Sequence, residues 1–423
     1  VEHSNSSVTQ SNSQLNLGTG KVTVEGTFDF GGADINTAPG FEHSMLRIKA
    51  GDIQTTKYES VSDDESSAKG FFIGATASAD SVFLDVSNDI GKLATDAAEG
   101  MSVAPGLTTL EMLGDAERIA VGSWGSASAG AAIGGGGTSS QTVTRTENTN
   151  QVGGNVSMTS TKGDITLTGV QTTNPDAVII LNAGEHDVNL NASKSTTTST
   201  SKSNVGGISA NETASWNPLT GTTVSASVGV GAKHNDSSQN NTSYTNTDIS
   251  GSHVIVRAND LNMVGANVSG KVNADLTGDL NITSVQDTQT YTHTLAAGGV
   301  SAGVAVNSHT AFLVPSFVGG VGAVGGQDYD NYQRVEKQSG ISGTADSTIH
   351  VGGDMNLTGG YVAGGGKLQV DGTVNAKDLT DSRNKDGGYG GGGIGVNQNG
   401  IGGIGLMGGR VDQVHYSADN KAT

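Results

Sequence analysis

Asn259-Asp260-Leu261-Asn262-Met263 is followed, 19 residues on, by Gly278-Asp279-Leu280-Asn281-Ile282. Each phrase is a small or polar residue, Asp, an aliphatic, one polar residue and a second aliphatic. The aliphatics alternate with the strand period of two, so they share one face. The Gly-Asp or Asn-Asp pair in front supplies a turn, because Gly and Asn tolerate positive φ and Asp bonds its own backbone. The phrase recurs as Gly163-Asp164-Ile165-Thr166-Leu167, His186-Asp187-Val188-Asn189-Leu190 and Gly353-Asp354-Met355-Asn356-Leu357. Gly51-Asp52-Ile53 is a short copy and Lys377-Asp378-Leu379 a weaker one. Ile165 and Leu167 are expected to point inward, Thr166 and Thr168 outward.

The copies have two spacings. Asp164 and Asp187 are 23 residues apart, whereas Asp164 and Asp260 are 96 apart and Asp260 and Asp354 are 94 apart. A period near 20 suits one coil of a β-helix, and one coil alone buries almost nothing. Stacked coils, about 4.8 Å apart, bury a continuous aliphatic column and pair each backbone with its neighbours. The chain therefore reads as an all-β parallel β-helix. Coil blocks are expected at residues 1–57, 152–193, 250–286 and 347–380, each of about two coils. They are separated by extensions at 58–151, 194–249 and 287–346, with a partial, truncated one at 381–423.

The extensions read as β-hairpins. In Thr223 to Gly231, Val224, Ala226, Val228 and Val230 fall on one side, and Val300 to Val306 repeats the pattern. Such alternation on either side of a bend, as at Trp216 to Gly221, is a hairpin signal. Ser126 to Ile133 and Ile394 to Val396 are looser versions. The first extension carries helix-like spacing over Ser87 to Glu99 and Leu107 to Arg118, so one or two short helices are expected there.

Composition agrees with a thin, regular structure. Gly accounts for 65 of 423 residues, while aromatics are 4% and charged residues 15%, too few large side chains for a compact enzyme core. So polar a composition would also suit a disordered chain, but the ordered repeat argues against that. Cysteine is absent, which excludes disulfides and thiolate metal sites. The net charge of −19 argues against nucleic acid and anionic lipid as partners. No run approaches the roughly 18 apolar residues of a membrane-spanning helix, so direct membrane insertion is not expected. With no initiator Met and no signal peptide, the chain reads as a piece of something longer.

The stretch Val254 to Gly270, with Asp279 to Thr288, resembles the haemagglutinin repeats of filamentous haemagglutinin-type exoproteins. These are the large secreted partners of two-partner secretion and include contact-dependent inhibition stick proteins. The resemblance covers most of the chain, and its motifs specify architecture better than activity. It implies a right-handed parallel β-helix, exported through an outer-membrane secretion barrel and projecting from a Gram-negative cell. It also implies a shaft for adhesion or toxin presentation, with host-cell or bacterial surface receptors, glycans or sister filaments as partners. No secretion domain, receptor-binding region or toxin is recognisable in the chain.

Candidate chemical sites are few. Gly400 to Gly405 matches a dinucleotide fingerprint formally, but Met407-Gly408-Gly409 follows it where a helix should begin. Gly134 to Gly137 lacks the lysine of a phosphate loop. Histidines have no paired ligand spacing. Asp328-Tyr329-Asp330-Asn331 offers oxygen ligands for a hard cation, against the plainer reading of a solvated hairpin strand. The repeated Asp residues could stack as a cation-binding ladder, against the plainer reading of turn chemistry. Asn-x-Ser/Thr sequons at Asn155, Asn191, Asn211, Asn267 and Asn281 reflect strand composition. A polysaccharide-cleaving β-helix would need a unique carboxylate cluster and aromatic platforms, so no catalytic, cofactor or metal residue is assigned and no enzyme activity is expected. Phe312 to Val318 is a dense apolar run that either packs inside the protein or forms a contact patch.

Overall fold

The computed structural model describes residues 2–17, 20–37, 44–80, 125–217, 221–308, 315–397, 400–410 and 413–423. Among these residues there is no α-helix. The two helical expectations, Ser87 to Glu99 and Leu107 to Arg118, lie outside the described residues. The strands divide into an 8-stranded and a 14-stranded parallel sheet, which form the coils, and a 10-stranded antiparallel sheet of long hairpins.

The 8-stranded sheet is one column of the β-helix. Its strands are Thr27–Asp29, Asp52–Gln54, Ile165–Thr168, Val188–Asn191, Leu261–Val264, Leu280–Thr283, Met355–Thr358 and Val374–Lys377. They are paired in order and in register, and each marks one coil. Phe28, Ile53, Ile165, Val188, Leu261, Leu280, Met355 and Val374 stack as one continuous row. The 14-stranded sheet supplies the rest of each coil, two strands in six of them and one long strand, Thr247–Ala258 or Ala266–Leu276, in the fifth and sixth. Its inward row runs Val22, Ile48, Met158, Leu181, Val256, Ala274, Ile349, Leu368. The rows converge on a single core that runs the length of the coils.

The phrase that signals each coil places its residues as the alternation requires, with two exceptions. Thr168 is buried instead of outward, because the chain turns a corner there and its N–H donates to the Thr55 hydroxyl at 2.7 Å. Asp378 is not part of a coil phrase. The eighth coil is marked by Gly372-Thr373-Val374-Asn375-Ala376, with Thr373 where the inner coils have Asp.

Glycine decides whether the chain continues into another coil. Gly32, Gly169, Gly265 and Gly359 follow the first, third, fifth and seventh coils, all with φ between 56° and 69°. That left-handed corner passes the chain directly to the next coil. The even-numbered coils end without it, at Thr55, Ala192, Ser284 and Asp378, and the chain leaves into a hairpin. The alternation accounts for the doubled repeat.

Four hairpins follow. They are Glu59–Asp80 with Gly125–Glu147, Ser193–Asn217 with Gly221–Thr245, Asp287–Asn307 with Ser316–Arg334, and Leu379–Asn397 with Gly400–Arg410. The hairpins are not separate arms. Neighbouring ones pair laterally along most of their length, as in Ser195↔Thr146 through Trp216↔Gly125. The same holds for Thr223↔Asn307 through Thr242↔Thr288, and all four merge into one sheet. Glu2–Val8, which the sequence grouped with the coils, is an edge strand of this sheet, and Val414–Asn420 pairs with Leu379–Asn397.

Candidate interaction surface

The coils carry two polar ladders. In the first, the coil Asp residues from Asp164 to Asp354 each cap the next coil, whereas Asp52 accepts from the Thr27 hydroxyl of the coil before it. Oδ1 of Asp164, Asp187, Asp260 and Asp279 accepts from the backbone N–H of Asp187, Asp260, Asp279 and Asp354, at 2.7–3.1 Å. Asp354 Oδ1 ends the series on Thr373 N–H at 2.7 Å. The preceding glycine is needed for close approach. A Cβ on Gly278 or Gly353 would lie 2.1 Å from the carboxylate below. The repeated Asp is therefore a turn and stacking residue. Among the described residues no three His, Asp or Glu side chains converge as a metal-ion site.

The second ladder is formed by the polar residue between the aliphatics. Asn262 donates to Asn189, Asn281 to Asn262, Asn356 to Asn281 and Asn375 to Asn356, each from Nδ2 to Oδ1 at 2.8–2.9 Å. A carboxamide has both donor and acceptor, so identical side chains can chain indefinitely, which carboxylates cannot do. Three of the stacked rows are thus explained by one five-residue phrase.

The hairpin sheet divides into a polar root and an apolar outer half. At the root, hydroxyls bond across hairpins, as in Thr142–Ser199 at 3.0 Å and Thr146–Ser195 at 2.9 Å, and within the first one, as in Ser66–Ser140 at 2.7 Å. Buried His293 joins Asn235 of the second hairpin to Asp328 of the third. Asp330 takes a bidentate contact from Arg383 of the fourth, at 2.9 Å from Nε and 2.6 Å from Nη2. Asp328 and Asp330, weighed as cation ligands, are engaged instead by His293 within the third hairpin and by Arg383 of the fourth. Burial, and then the Asp328 carboxylate, pushes the Tyr291 hydroxyl up to about 12, so it stays protonated as part of this polar seam.

In the outer half the alternation is clean but runs opposite to a buried aliphatic stripe. Ser209, Thr213, Ser225, Ser227, Ala297 and Ala305 are buried, whereas Val228 and Val230 on the other face are more than half exposed. Register turns these into a ridge. Ile73, Ile133, Ile208, Val230, Val300, Val321, Ile394 and Ile404 are successive partners across eight strands. All are exposed, from 39% at Ile394 to 73% at Ile73.

Small residues flank this ridge. On one side lie Gly135, Gly206, Ala232, Gly298 and Ala323, lining a shallow trough of about 750 Å³. On the other, the row Ala131, Ala210, Val228 and Ala302, with Ala226 and Val304 beyond it, lines one of about 520 Å³. Glu212 is the sole charged residue facing outward in this second trough. The apolar run at Phe312 to Val318 is split: Phe317 is exposed beside Val304 on this face and Val318 is buried, while residues 312–314 lie outside the described residues. Sequence reading found the alternation in single hairpins. It missed the ridge, because each ridge residue gains its neighbours only through register between strands distant in sequence.

Residues 133–299 match the family model of the hemagglutinin repeat. Over its whole length the chain is 33% identical to the filamentous hemagglutinin of Bordetella pertussis, of which it spans 12%. Over 172 residues, 40% of the chain, it is 30% identical to 4% of a protein of Histophilus somni named protein adenylyltransferase and cysteine protease IbpA. No solved structure matches.

Proposed function

The chain is of the filamentous haemagglutinin type, and from that premise we propose that it is a shaft segment of a secreted adhesin, holding more distal parts away from the cell. The reading extends from 12% of the length of the curated relative to the role of the whole. In it, the protein is exported through an outer-membrane secretion barrel and stands outside a Gram-negative cell. The observation that carries this role is the unbroken stacking of the coils, with an Asp cap and an Asn bond at successive levels. Each level adds about 4.8 Å of length and repeats the same bonds, which is how a rod of arbitrary length is built from short phrases. The Asp residues are occupied in capping, so the segment is proposed to be non-enzymatic; reducing-sugar release from bacterial or host polysaccharides would overturn that.

A second reading is favoured by the exposed ridge. Stable single proteins rarely leave a contiguous apolar face uncovered, and such faces mark contact sites. Specific contact would then lie on the hairpin sheet, with the coils as its support. Beads coated with the chain, applied to host-cell and bacterial monolayers, separate the two. A pure spacer leaves beads unbound. Retention that is lost on adding a charge to the ridge assigns contact to the hairpins.

A further inference from the structure

We propose that the apolar face of the hairpin sheet pairs with the same face of a second copy of this chain. The proposal rests on the hairpin-contact reading and names the occupant.

Shape is the first argument. The face is a ridge of Ile and Val flanked on one side by a trough of Gly and Ala, which Phe71 and Leu406 close at its two ends, and on the other by a row of Ala interrupted by Val228. Turned over by a two-fold rotation, the ridge of one sheet enters a trough of the other, the isologous arrangement common in homodimers. A ridge whose residues repeat every 4.8 Å or so across eight strands fits a partner with the same spacing, and an identical sheet has it.

Size is the second argument. Seven inter-strand steps of about 4.8 Å and three two-residue steps of about 6.6 Å give a face of about 34 by 20 Å, or ~700 Å². That is close to the ~800 Å² each partner contributes to a standard protein–protein interface.

Charge is the third. Each chain carries a net charge of −19, so two copies repel unless they meet where the charge is absent. Glu59, Asp63, Asp64, Glu65 and Asp236 lie in the polar roots, whereas among the described residues the outward face of the outer half carries Glu212, beside Val228 and Val304, and the cation Lys69, next to Phe71 on the first strand. The same net charge disfavours an anionic membrane as the occupant.

The test is sedimentation equilibrium of the 423-residue chain from about 1 to 100 µM, a range that spans weak to moderate affinity. The expected result is a reversible dimer that tightens on raising NaCl from about 50 to 500 mM, since screening reduces the mutual repulsion. Val230→Asp, at the centre of the ridge, should weaken the dimer at least tenfold. Thr200→Asp, an exposed root position on the same strand pairing, should not. Unchanged circular dichroism of both variants shows that the fold is intact. A wild-type chain that remains monomeric throughout, or a dimer indifferent to Val230→Asp, overturns the proposal. Flotation with neutral phosphatidylcholine vesicles, lost in Val230→Asp while the chain is monomeric, would assign the face to lipid and also overturn it. A monomer whose bead retention is lost in Val230→Asp keeps the hairpin-contact reading with a different occupant. If bead retention also ignores the substitution, both fall.

Discussion

Asn281→Ala removes one rung from the middle of the Asn ladder. Asn281 donates to Asn262 and accepts from Asn356, both at 2.8 Å. A hydrogen bond contributes about 0.5–1.5 kcal/mol net, so losing two should cost about 1–3 kcal/mol. Asn375 sits at the end of the ladder, exposed, with a single such bond of 2.9 Å to Asn356. Asn375→Ala should therefore cost about 0.5 kcal/mol, because water replaces an exposed partner. Asn281→Asp gives a sharper signature. The new carboxylate would face Asn262 Oδ1, acceptor against acceptor, and only its protonated form could donate. Its folded pKa should then lie above the ordinary value of about 3.9. A group raised in the folded state contributes stability below its unfolded pKa and loses it as pH rises through the folded pKa. The variant should thus be most impaired at neutral pH and recover relative to wild type in acid. Urea unfolding followed by backbone circular dichroism, at pH 7 and near pH 4, reads all three variants. Equal losses for Asn281→Ala and Asn375→Ala, or no relative recovery of Asn281→Asp in acid, would refute the ladder reasoning.

Three further outcomes are expected. Gly265 and Gly184 have φ of 65° and 63°, but a Cβ on Gly265 lies 2.6 Å from Ala192 Cβ whereas Gly184 is open. Gly265→Ala should cost about 2–4 kcal/mol and Gly184→Ala about 1 kcal/mol, measured by urea unfolding. Leu261→Ala, in the fully buried row, should cost about 2–5 kcal/mol, whereas Val228→Ala on the exposed face should stay within about 0.5 kcal/mol. His350 links neighbouring coils through Asp275 at 3.0 Å and Asp371 at 3.1 Å, and these bonds, Asp275 first, raise its pKa. The raised value makes its contribution full below the unfolded pKa of about 6.5 and lost as pH rises through the folded pKa. The melting-temperature advantage of wild type over His350→Gln should accordingly be largest in mild acid and vanish in alkali.

The coils were legible in the sequence because their information is local. Five residues from Asp260 to Val264 specify a turn, an inward pair and an outward Asn, and stacking repeats them. Thr168 was misread because the period of two says nothing of a corner, and corners are set by Gly169 and by the hydroxyl of Thr55, 113 residues away. Asp378 was misread because it keeps the letter of the phrase, while Thr373 occupies the structural position through its backbone N–H alone. The hairpins were visible as alternation, as in Val224 to Val230. Their merger was not, since Ile133 meets Ile208 and Val230 meets Val300 only through lateral register. For the same reason the buried face could not be told from the exposed one: a sheet face of Ser and Gly is buried here, and one of Val and Ile is exposed. Glu2–Val8 has no aliphatic alternation, and its pairing with Ser67 back to Val61 is fixed by the hairpin beside it.

The central claim is that coils far apart in sequence stack in parallel register. Lys49 and Gln369, 320 residues apart, are exposed and occupy one outward row through Thr159, Asn182, Arg257, Asp275 and His350. Six steps of about 4.8 Å separate them, about 29 Å in all. The chain has no cysteine, so Lys49→Cys with Gln369→Cys places two spin labels uniquely. Pulsed electron–electron double resonance should give one distribution centred near 29 Å, broadened by the label linkers. A broad distribution extending well beyond 40 Å, or a centre far from six coil steps, would contradict the stacked β-helix.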